Sequence, residues 1–342
     1  MSRMRDFTRF VVVTAAVALM SIPKASAADV LKVAAAQHGT WPSAVAELGQ
    51  RVGVFKRHGL VLEFLFTRDG NETEQLVTSG SADVGLATNA MQVMRAYAFG
   101  APLRIISTHI AGSTNYWYVP RSSPIHSFAD IAGKTVGYET NGASSQYDAI
   151  DLMRKYGLNA KLVLTGGANA TFAHVKAGII DIGWGAPPFG VDRIARGDIR
   201  VIARANNVPQ IRNKTASVII TNANTLERRK DVLARYLRAY REAIEWMYSD
   251  PAALERYAEL ADVSEGEARQ LRDEFFPKET LLPGNVVGLN MIAKDAVVLG
   301  YLRKRLSRRQ IKKLVQIVAP ALDGQVSCKD ISGACAIAPP AP

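Results

Sequence analysis

The stretch "KTVGYETNGASSQYDAID", residues 134–151, decides the fold class. Its first six residues form a short apolar run typical of a strand. The chain then passes through Asn-Gly-Ala-Ser-Ser into a segment with helical spacing. A strand that leads directly into a helix is the first part of a βαβ unit. The glycine and the two hydroxyls at this junction fit a turn and a helix cap, and they fit the rim of an anion site equally well.

The same alternation continues on both sides of this stretch. Strand-like runs, separated by about ten to twenty helical residues, indicate an α/β protein with mostly parallel sheets flanked by helices. The runs before it are Leu31–Ala36, Leu60–Phe66, Ala82–Thr88 and Leu103–Ile110; those after it are Ala160–Gly166, Ile180–Gly185 and Ile199–Ala205. From Arg228 onward the pattern is almost wholly helical.

The alternation restarts once, after the segment "NYWYVPRSSPIHSFADIAG". Two series joined in this way predict two lobes that face each other across a cleft. We expect lobe 1 to comprise residues 29–118 and 216–320, and lobe 2 to comprise residues 119–215. The tail, 321–342, is rich in Gly, Ala and Pro and is expected to be flexible.

The first 27 residues have the features of a secretory signal peptide. Arg3, Arg5 and Arg9 precede the apolar run Phe10–Met20, and Ala25–Ala27 forms an A-x-A cleavage signal. The apolar run is too short to span a bilayer. We therefore expect cleavage after Ala27 and a periplasmic protein.

Several function classes find little support in the sequence. The formal net charge of +11 is not accompanied by a nucleic-acid motif, and the basic run Tyr301–Lys313 is interpreted as a solvated helix face. The five histidines lack metal-ligand spacing, and no phosphate loop or nucleophile elbow occurs. We expect no metal, no cofactor and no catalysis. In an oxidising compartment Cys328 and Cys335 can form a local disulfide, although the sequence does not show whether they are bonded.

Ligands of open parallel sheets bind beyond the carboxyl ends of the strands, where helices begin. Unpaired N–H groups at helix starts attract anions. The predicted ligand-binding residues share this position: Gln37, His38, Gly39, Thr40 and Trp41 after the first strand, Gly70 and Asn71 after the second, Thr88 and Asn89 after the third, and Asn141, Gly142, Ala143, Ser144, Ser145, Trp184 and Pro187 in the second series. The alternative is that the serines cap a helix and the tryptophans belong to the core.

Four stretches together resemble one family. They are "LVTSGSADVGLA" (76–87), "SPIHSFADIAGKTVGYETNGASSQY" (123–147), "ATFAHVKAGIIDIGWGAPPF" (170–189) and "RRKDVLARYLRAYREAIEWM" (228–247). The chain resembles the periplasmic substrate-binding proteins of the nitrate/sulfonate/taurine ABC-importer group, which share a domain with the thiamine-pyrimidine synthases. The resemblance implies the two-lobe type II periplasmic-binding-protein fold, with the ligand cleft between the lobes. It also implies a monomer that closes on a small molecule and docks on a membrane permease with its ATPase. It places ligand contacts at the same strand ends.

One departure from the family pattern bears on the ligand. Sulfonate and taurine binders of this group often have Trp-Asp-Pro where this chain has Trp184, Gly185, Ala186 and Pro187. Because Ala186 cannot hold a ligand amine, we expect an organic sulfonate or carboxylate without an ammonium group, aromatic ones included. The alternatives are an enzyme or pyrimidine-precursor binder like the thiamine-pyrimidine synthases, and a solute receptor for a signalling partner. The sequence identifies neither the solute nor the permease.

Overall fold

The computed structural model describes residues 28–36, 38–141 and 143–318. The predicted signal peptide, Gln37, Gly142, the predicted tail and both cysteines lie outside the described residues. Ten strands are present in the described part: β1 (Asp29–Ala36), β2 (Leu60–Thr67), β3 (Val84–Asn89), β4 (Leu103–Ala111), β5 (Tyr116–Pro120), β6 (Thr135–Tyr138), β7 (Lys161–Leu164), β8 (Gly183–Gly185), β9 (Ile199–Arg204) and β10 (Thr215–Asn222).

Helices follow most of the strands, and a helical region follows the last strand. They are α1 (Trp41–Arg51), α2 (Val54–Arg57), α3 (Gly70–Ser79), α4 (Ala90–Ala98), α5 (Ser144–Tyr156), α6 (Ala168–Lys176), α7 (Val191–Arg196), α8 (Pro209–Arg212), α9 (Ala223–Arg228), α10 (Lys230–Ser249), α11 (Ala252–Ala261), α12 (Glu265–Phe275), α13 (Leu289–Val298) and α14 (Arg308–Leu314). None of the described helices is both long enough and apolar enough to span a bilayer.

The first sheet has the strand order β2-β1-β3-β10-β4. β1 pairs in parallel with β2 and β3, whereas β10 lies antiparallel between β3 and β4. Four of its five strands therefore run in one direction. The mixed α/β class and the largely parallel strand direction predicted from the sequence are confirmed.

The second sheet repeats this order. β5 lies antiparallel between β8 and β9, and β6 pairs in parallel with β7. A parallel bridge between Val136 and Ile182 joins the two parts. The resulting order, β7-β6-β8-β5-β9, matches the first sheet strand for strand.

Side chains repeat along with the strands. The hydroxyl oxygens of Thr67 and Thr73 lie 2.6 Å apart in the first half, as do those of Thr165 and Thr171 in the second. Asp83 accepts a hydrogen bond from the backbone N–H of the first strand of its half at 2.9 Å, and Asp181 does the same at 2.8 Å. Both acids thus hold a helix-to-strand turn against the first strand of their half.

The helical region after β10 covers the first sheet. One face of α10, from Val232 to Met247, is buried and packs with α1, α2 and α11, as its apolar stripe predicts. α12 packs against α7 of the second half, where Phe275 contacts Tyr116 with ring centroids 5.7 Å apart. The C-terminal helices therefore contact both halves of the molecule.

The chain passes from the first sheet to the second through residues 112–115 and returns through residues 205–214. These two crossings lie next to each other, because Ser113 N–H donates to the Asn206 amide oxygen at 2.7 Å. β5 belongs to the second sheet, so the first crossing is complete before residue 116. The division into lobes at 118 and 216 remains our proposal.

Candidate functional site

The first strand of the first sheet ends at a tight turn. Gly39 has φ +81°, a conformation that favours glycine, and its carbonyl accepts a hydrogen bond from the Tyr257 hydroxyl at 2.9 Å. The His38 ring contacts the Phe66 ring, with centroids 4.1 Å apart, and its Nε2 lies 3.0 Å from a Glu47 carboxylate oxygen. The predicted donor to an anion is thus already paired with an acid.

Trp41 does not line a cleft in this structure. Its side chain is fully buried, and its indole N–H donates to the Tyr248 hydroxyl at 3.0 Å. The Tyr257 ring packs against it, with centroids 4.6 Å apart. Its burial on the inner face of α1 makes it a core residue, whereas the sequence predicted that it contacts ligand. Thr40, the residue before α1, has a buried hydroxyl with no hydrogen-bond partner.

The second and third strands of the first sheet end side by side. Gly70 opens α3 at a close approach, since a Cβ there would lie 3.1 Å from the Ala87 carbonyl oxygen and 3.5 Å from the Thr88 Cα. Ala87 itself has φ +59°, which a non-glycine residue adopts at some cost. The buried Thr88 hydroxyl donates to the Val218 carbonyl at 2.9 Å. Asn71 is exposed on the first turn of α3.

Helix caps account for two of the polar residues at these ends. The Asp69 carboxylate accepts the N–H groups of Asn71 and Glu72, and the Asn89 side chain accepts those of Met91 and Gln92. Capping is therefore one role of the polar residues at strand ends.

α5, which begins at Ser144 in the stretch 134–151, has no side-chain cap. Its N-cap residue is Ala143, so neither serine caps the helix. The Ser145 hydroxyl accepts the backbone N–H of Glu139 at 3.0 Å, and the Ser144 hydroxyl accepts from the Asn115 amide at 3.1 Å. Asn141 is exposed and accepts from the Tyr138 hydroxyl at 2.7 Å.

The remaining predicted residues follow β8. Trp184 is 5% exposed, and its indole N–H donates to the Gly166 carbonyl at 3.3 Å. Pro187 is buried and precedes a cis peptide bond to Pro188. Both belong to the packed interior of the second half in this conformation.

A cavity lies where the two sheets and the two crossings meet, and we call it the inter-sheet cavity. It brings together Asn89, the last residue of β3, and Ser144, the first residue of α5, both of which were predicted to bind ligand. Its other lining residues are Ala90, Met91, Gly112, Ser113, Tyr147, Asp148, Ile211, Lys214, Thr215, Ala216 and Ile292.

A carboxyl group is held inside the inter-sheet cavity. One oxygen of Asp148 accepts the Ser113 hydroxyl at 2.5 Å and the Asn115 amide at 2.8 Å. Burial raises the pKa of Asp148 to about 6, while these two hydrogen bonds and the charge of Lys214 act in the opposite direction. Lys214 Nζ lies 3.1 Å from an Asp295 oxygen and 4.0 Å from an Asp151 oxygen.

Two further acids, one from each half, lie at strand ends. Asp69 follows β2 in the first sheet, and Glu139 follows β6 in the second. Burial raises the pKa of Glu139, and the negative charge of Asp69 adds to the shift. The site thus contains more negative charge than an anion receptor was expected to have. This is the main difference from the sequence-based prediction.

Sequence reasoning missed Ser113, Asn115, Asp148 and Lys214. One signal was present, because Asp148 lies four residues after Ser144 and so shares its face of α5. The other three lie in or beside the crossings, where only the tertiary structure brings them to α5.

Two solved structures have the same fold. The periplasmic aliphatic sulphonate binding protein SsuA of Escherichia coli is 18% identical, with 89% of this chain and 97% of that chain covered and a TM-score of 0.71. The alkanesulfonate-binding protein SsuA of Xanthomonas axonopodis pv. citri, bound to MOPS, is 17% identical, with 85% and 98% covered and a TM-score of 0.65. The two-lobe periplasmic-binding-protein fold expected from the sequence is confirmed.

Sequence comparison finds a different kind of relative. The 4-amino-5-hydroxymethyl-2-methylpyrimidine phosphate synthase of Uromyces fabae is 24% identical over 222 residues, which cover 60% of this chain. The chain spans only 62% of the length of that relative. The family model described as NMT1/THI5 like matches residues 45–254, which is more than half of the chain. The predicted resemblance is confirmed, and the chain belongs to the NMT1/THI5-like family.

Proposed function

We propose that this protein is the exported solute-binding component of an ABC importer, and that it captures a small organic anion, a sulfonate or carboxylate. The observation that carries the proposal is that Asn89, at the end of β3, and Ser144, at the start of α5, line one cavity beside both crossings. The fold shared with two sulfonate-binding proteins supports a binding role. In this proposal the leader directs the chain to the periplasm, and a membrane permease with its ATPase receives the solute.

Lobe closure is the proposed mechanism. The crossings 112–115 and 205–214 act as the hinge, and a solute that contacts both halves shifts the population towards the closed state. The bonds from Ser113 and Asn115 to Asp148 attach α5 to this hinge. Displacement of α5 by a solute is thereby coupled to the angle between the halves.

The start of α5 supplies the proposed anion contacts. Because α5 lacks a side-chain cap, its first amides and the Ser144 hydroxyl are the donors best placed to meet a sulfonate or carboxylate. The carboxyl groups of Asp148 and Glu139 oppose this, and both have raised pKa values. Protonation of Asp148, whose pKa is about 6, removes part of the opposing charge in mildly acidic solution, so anion binding should strengthen there.

A second candidate is a pyrimidine precursor as the solute. Membership of the NMT1/THI5-like family motivates it, and the Asp148 carboxylate favours it, because a carboxylate accepts hydrogen bonds from amino and ring N–H groups. An enzymatic role or a signalling role would use the same fold. We propose binding for transport, with catalysis and signalling as the alternatives.

The test is a thermal-shift screen of the purified protein with sulfonates, carboxylates, nitrate and pyrimidines, followed by calorimetry of each hit. Asn141→Glu places an exposed acid next to the start of α5 and should weaken an anionic hit at least tenfold. Asn159→Glu adds the same charge at an exposed position of the same half and serves as the control. Stabilisation by pyrimidines alone would overturn the anion assignment, and turnover of a hit would overturn the transport assignment.

A further inference from the structure

The last described segment of the chain is strongly basic. Residues 301–313 contain seven cations: Arg303, Lys304, Arg305, Arg308, Arg309, Lys312 and Lys313. All seven are exposed, whereas Leu302, Leu306 and Leu314 are buried and hold the segment against the protein. The prediction of one helical face is wrong for residues 301–307, because the helix begins only after a capping box formed by Ser307 and Gln310.

These cations are not neutralised by neighbours. Within residues 28–36, 38–141 and 143–318, no Asp or Glu forms an ion pair with any of the seven. The nearest acid before them in the chain, Asp295, is paired with Lys214 instead. A dense group of exposed charges of one sign produces a potential that attracts a surface of opposite sign.

The fold brings a further cation to this segment. A bridge between Ile105 and Val315 fixes the end of α14 to β4, which is the edge strand of the first sheet. Lys313 and Gln310 consequently share a shallow surface cavity with Arg104 and the loop 100–102. Two cations from segments about 200 positions apart thus face one opening, as anion recognition requires.

An exposed aromatic side chain lies beside the same cavity. Phe99 is 75% exposed, the largest value among the large hydrophobic residues that the structure describes. It directly precedes the loop that lines the cavity, and the Arg95 guanidinium lies 5.8 Å from its ring centroid. An exposed apolar ring among cations is typical of protein surfaces that bind the interfacial region of a bilayer.

We propose that this basic end face, defined as Phe99, Arg104 and the seven cations of residues 303–313, binds the surface of a membrane rich in anionic phospholipids. The cations contact lipid phosphates, and the Phe99 ring enters the headgroup boundary. A nucleic acid would also meet the charge requirement. The single ring is better matched to a bilayer, because nucleic-acid strands are held by several successive stacking rings.

The test is co-sedimentation with vesicles of phosphatidylcholine alone and with vesicles containing about one third phosphatidylglycerol, at low and high salt. We expect binding to the anionic vesicles only, and loss of it at high salt. The variant R309E/K312E/K313E should bind at least tenfold more weakly. K56E/K161E/K176E changes the net charge equally at exposed lysines elsewhere and should bind almost as well as the parent protein.

The contribution of the ring is tested separately. Phe99→Ser should weaken vesicle binding severalfold, whereas Ile179→Ser, at another exposed apolar residue, should not. Equal losses in both triple variants, equal binding to neutral vesicles, or displacement of vesicles by a DNA duplex at lower concentration would each overturn the proposal. Solute binding by R309E/K312E/K313E should be unchanged, which separates this proposal from the proposed transport function.

Discussion

The Ser113 hydroxyl donates a hydrogen bond of 2.5 Å to the Asp148 carboxylate, and this bond joins the first crossing to α5. The Asn115 amide donates to the same oxygen at 2.8 Å. A buried acid is therefore positioned by the segment through which the chain passes between its two sheets. The stability and the binding behaviour of the protein should both respond to the charge of this acid.

Asp148 should make stability depend on pH. Its pKa rises from an ordinary 3.8 to about 6 on folding, so between these values the folded state binds more protons than the unfolded chain. The contribution of Asp148 to stability should therefore be fully present below the lower value and be lost as the pH rises through about 6, by at most about 3 kcal/mol. The variant Asp148→Asn should lack this component of the pH dependence.

Urea unfolding of the parent protein and the variant between pH 4 and pH 7 measures this effect. Asp262→Asn, at an exposed residue whose φ of +53° suits asparagine, is the control and should follow the parent protein at every pH. A constant difference between the parent protein and Asp148→Asn over this range would contradict the prediction.

Lys214 should stabilise the second crossing. Its side chain is 12% exposed and faces both Asp151 and Asp295. Lys214→Met leaves two partly buried acids without a cation and should lower the free energy of unfolding at neutral pH by about 2 kcal/mol. Because burial raises the pKa of Asp151, this acid takes up a proton as the pH falls, and the loss should be smaller at acidic pH. Lys294→Met, at an exposed lysine on the same helix as Asp295, should have little effect in the same denaturation series.

Gly49 allows α1 to approach α10 closely. A Cβ at this position would lie 2.6 Å from the Ala243 Cβ and 2.9 Å from the Phe55 ring. Gly49→Ala should therefore destabilise the protein by about 1–3 kcal/mol. Gly266→Ala, in α12, meets no atom closer than 3.9 Å and should be neutral or stabilise by about 0.5 kcal/mol. Thermal unfolding of the two variants should thus show shifts that differ clearly in size, and equal shifts would argue against a close helix contact.

The affinity for an anionic solute should increase as the pH falls from about 7.5 to about 5.5. The reason is that Asp148, whose pKa burial raises to about 6, loses negative charge in this range. Burial and the charge of Asp69 raise the pKa of Glu139, so that carboxyl changes in the same direction. The double variant Asp148→Asn with Glu139→Gln should bind more tightly at neutral pH and show a flatter pH profile by calorimetry. A parent affinity that is independent of pH would indicate that the solute lies away from both acids.

The fold was largely predictable because it depends on local patterns. Apolar runs and the apolar stripe on α10 act over a few neighbouring residues, and the structure shows both of them. The order of the strands in each sheet could not be predicted from such local patterns. Both β5 and β10 are inserted antiparallel in the middle of a sheet, and their partners are distant in the chain.

The site was predictable only in part, because a residue at a strand end has several competing uses. Asn89 and Ser144 do meet at one cavity, whereas Trp41 is directed into the core by the tyrosines of α10 and α11. The environment of Asp148 depends on Lys214, which the second crossing places near it. The separation of these two residues in the sequence does not indicate that they are close in the structure.

The matching strand orders have a consequence for how the polypeptide can be divided. Strands β1–β4 belong to the first sheet, and the next strand in the chain, β5, belongs to the second. In the same way β6–β9 belong to the second sheet, and β10 belongs to the first. Cleavage of the backbone between residues 120 and 135 would leave the first fragment without β10, which lies between β3 and β4. The second fragment would lack β5, which lies between β8 and β9. Only co-expressed fragments, each of which supplies the strand that the other lacks, should form a soluble complex.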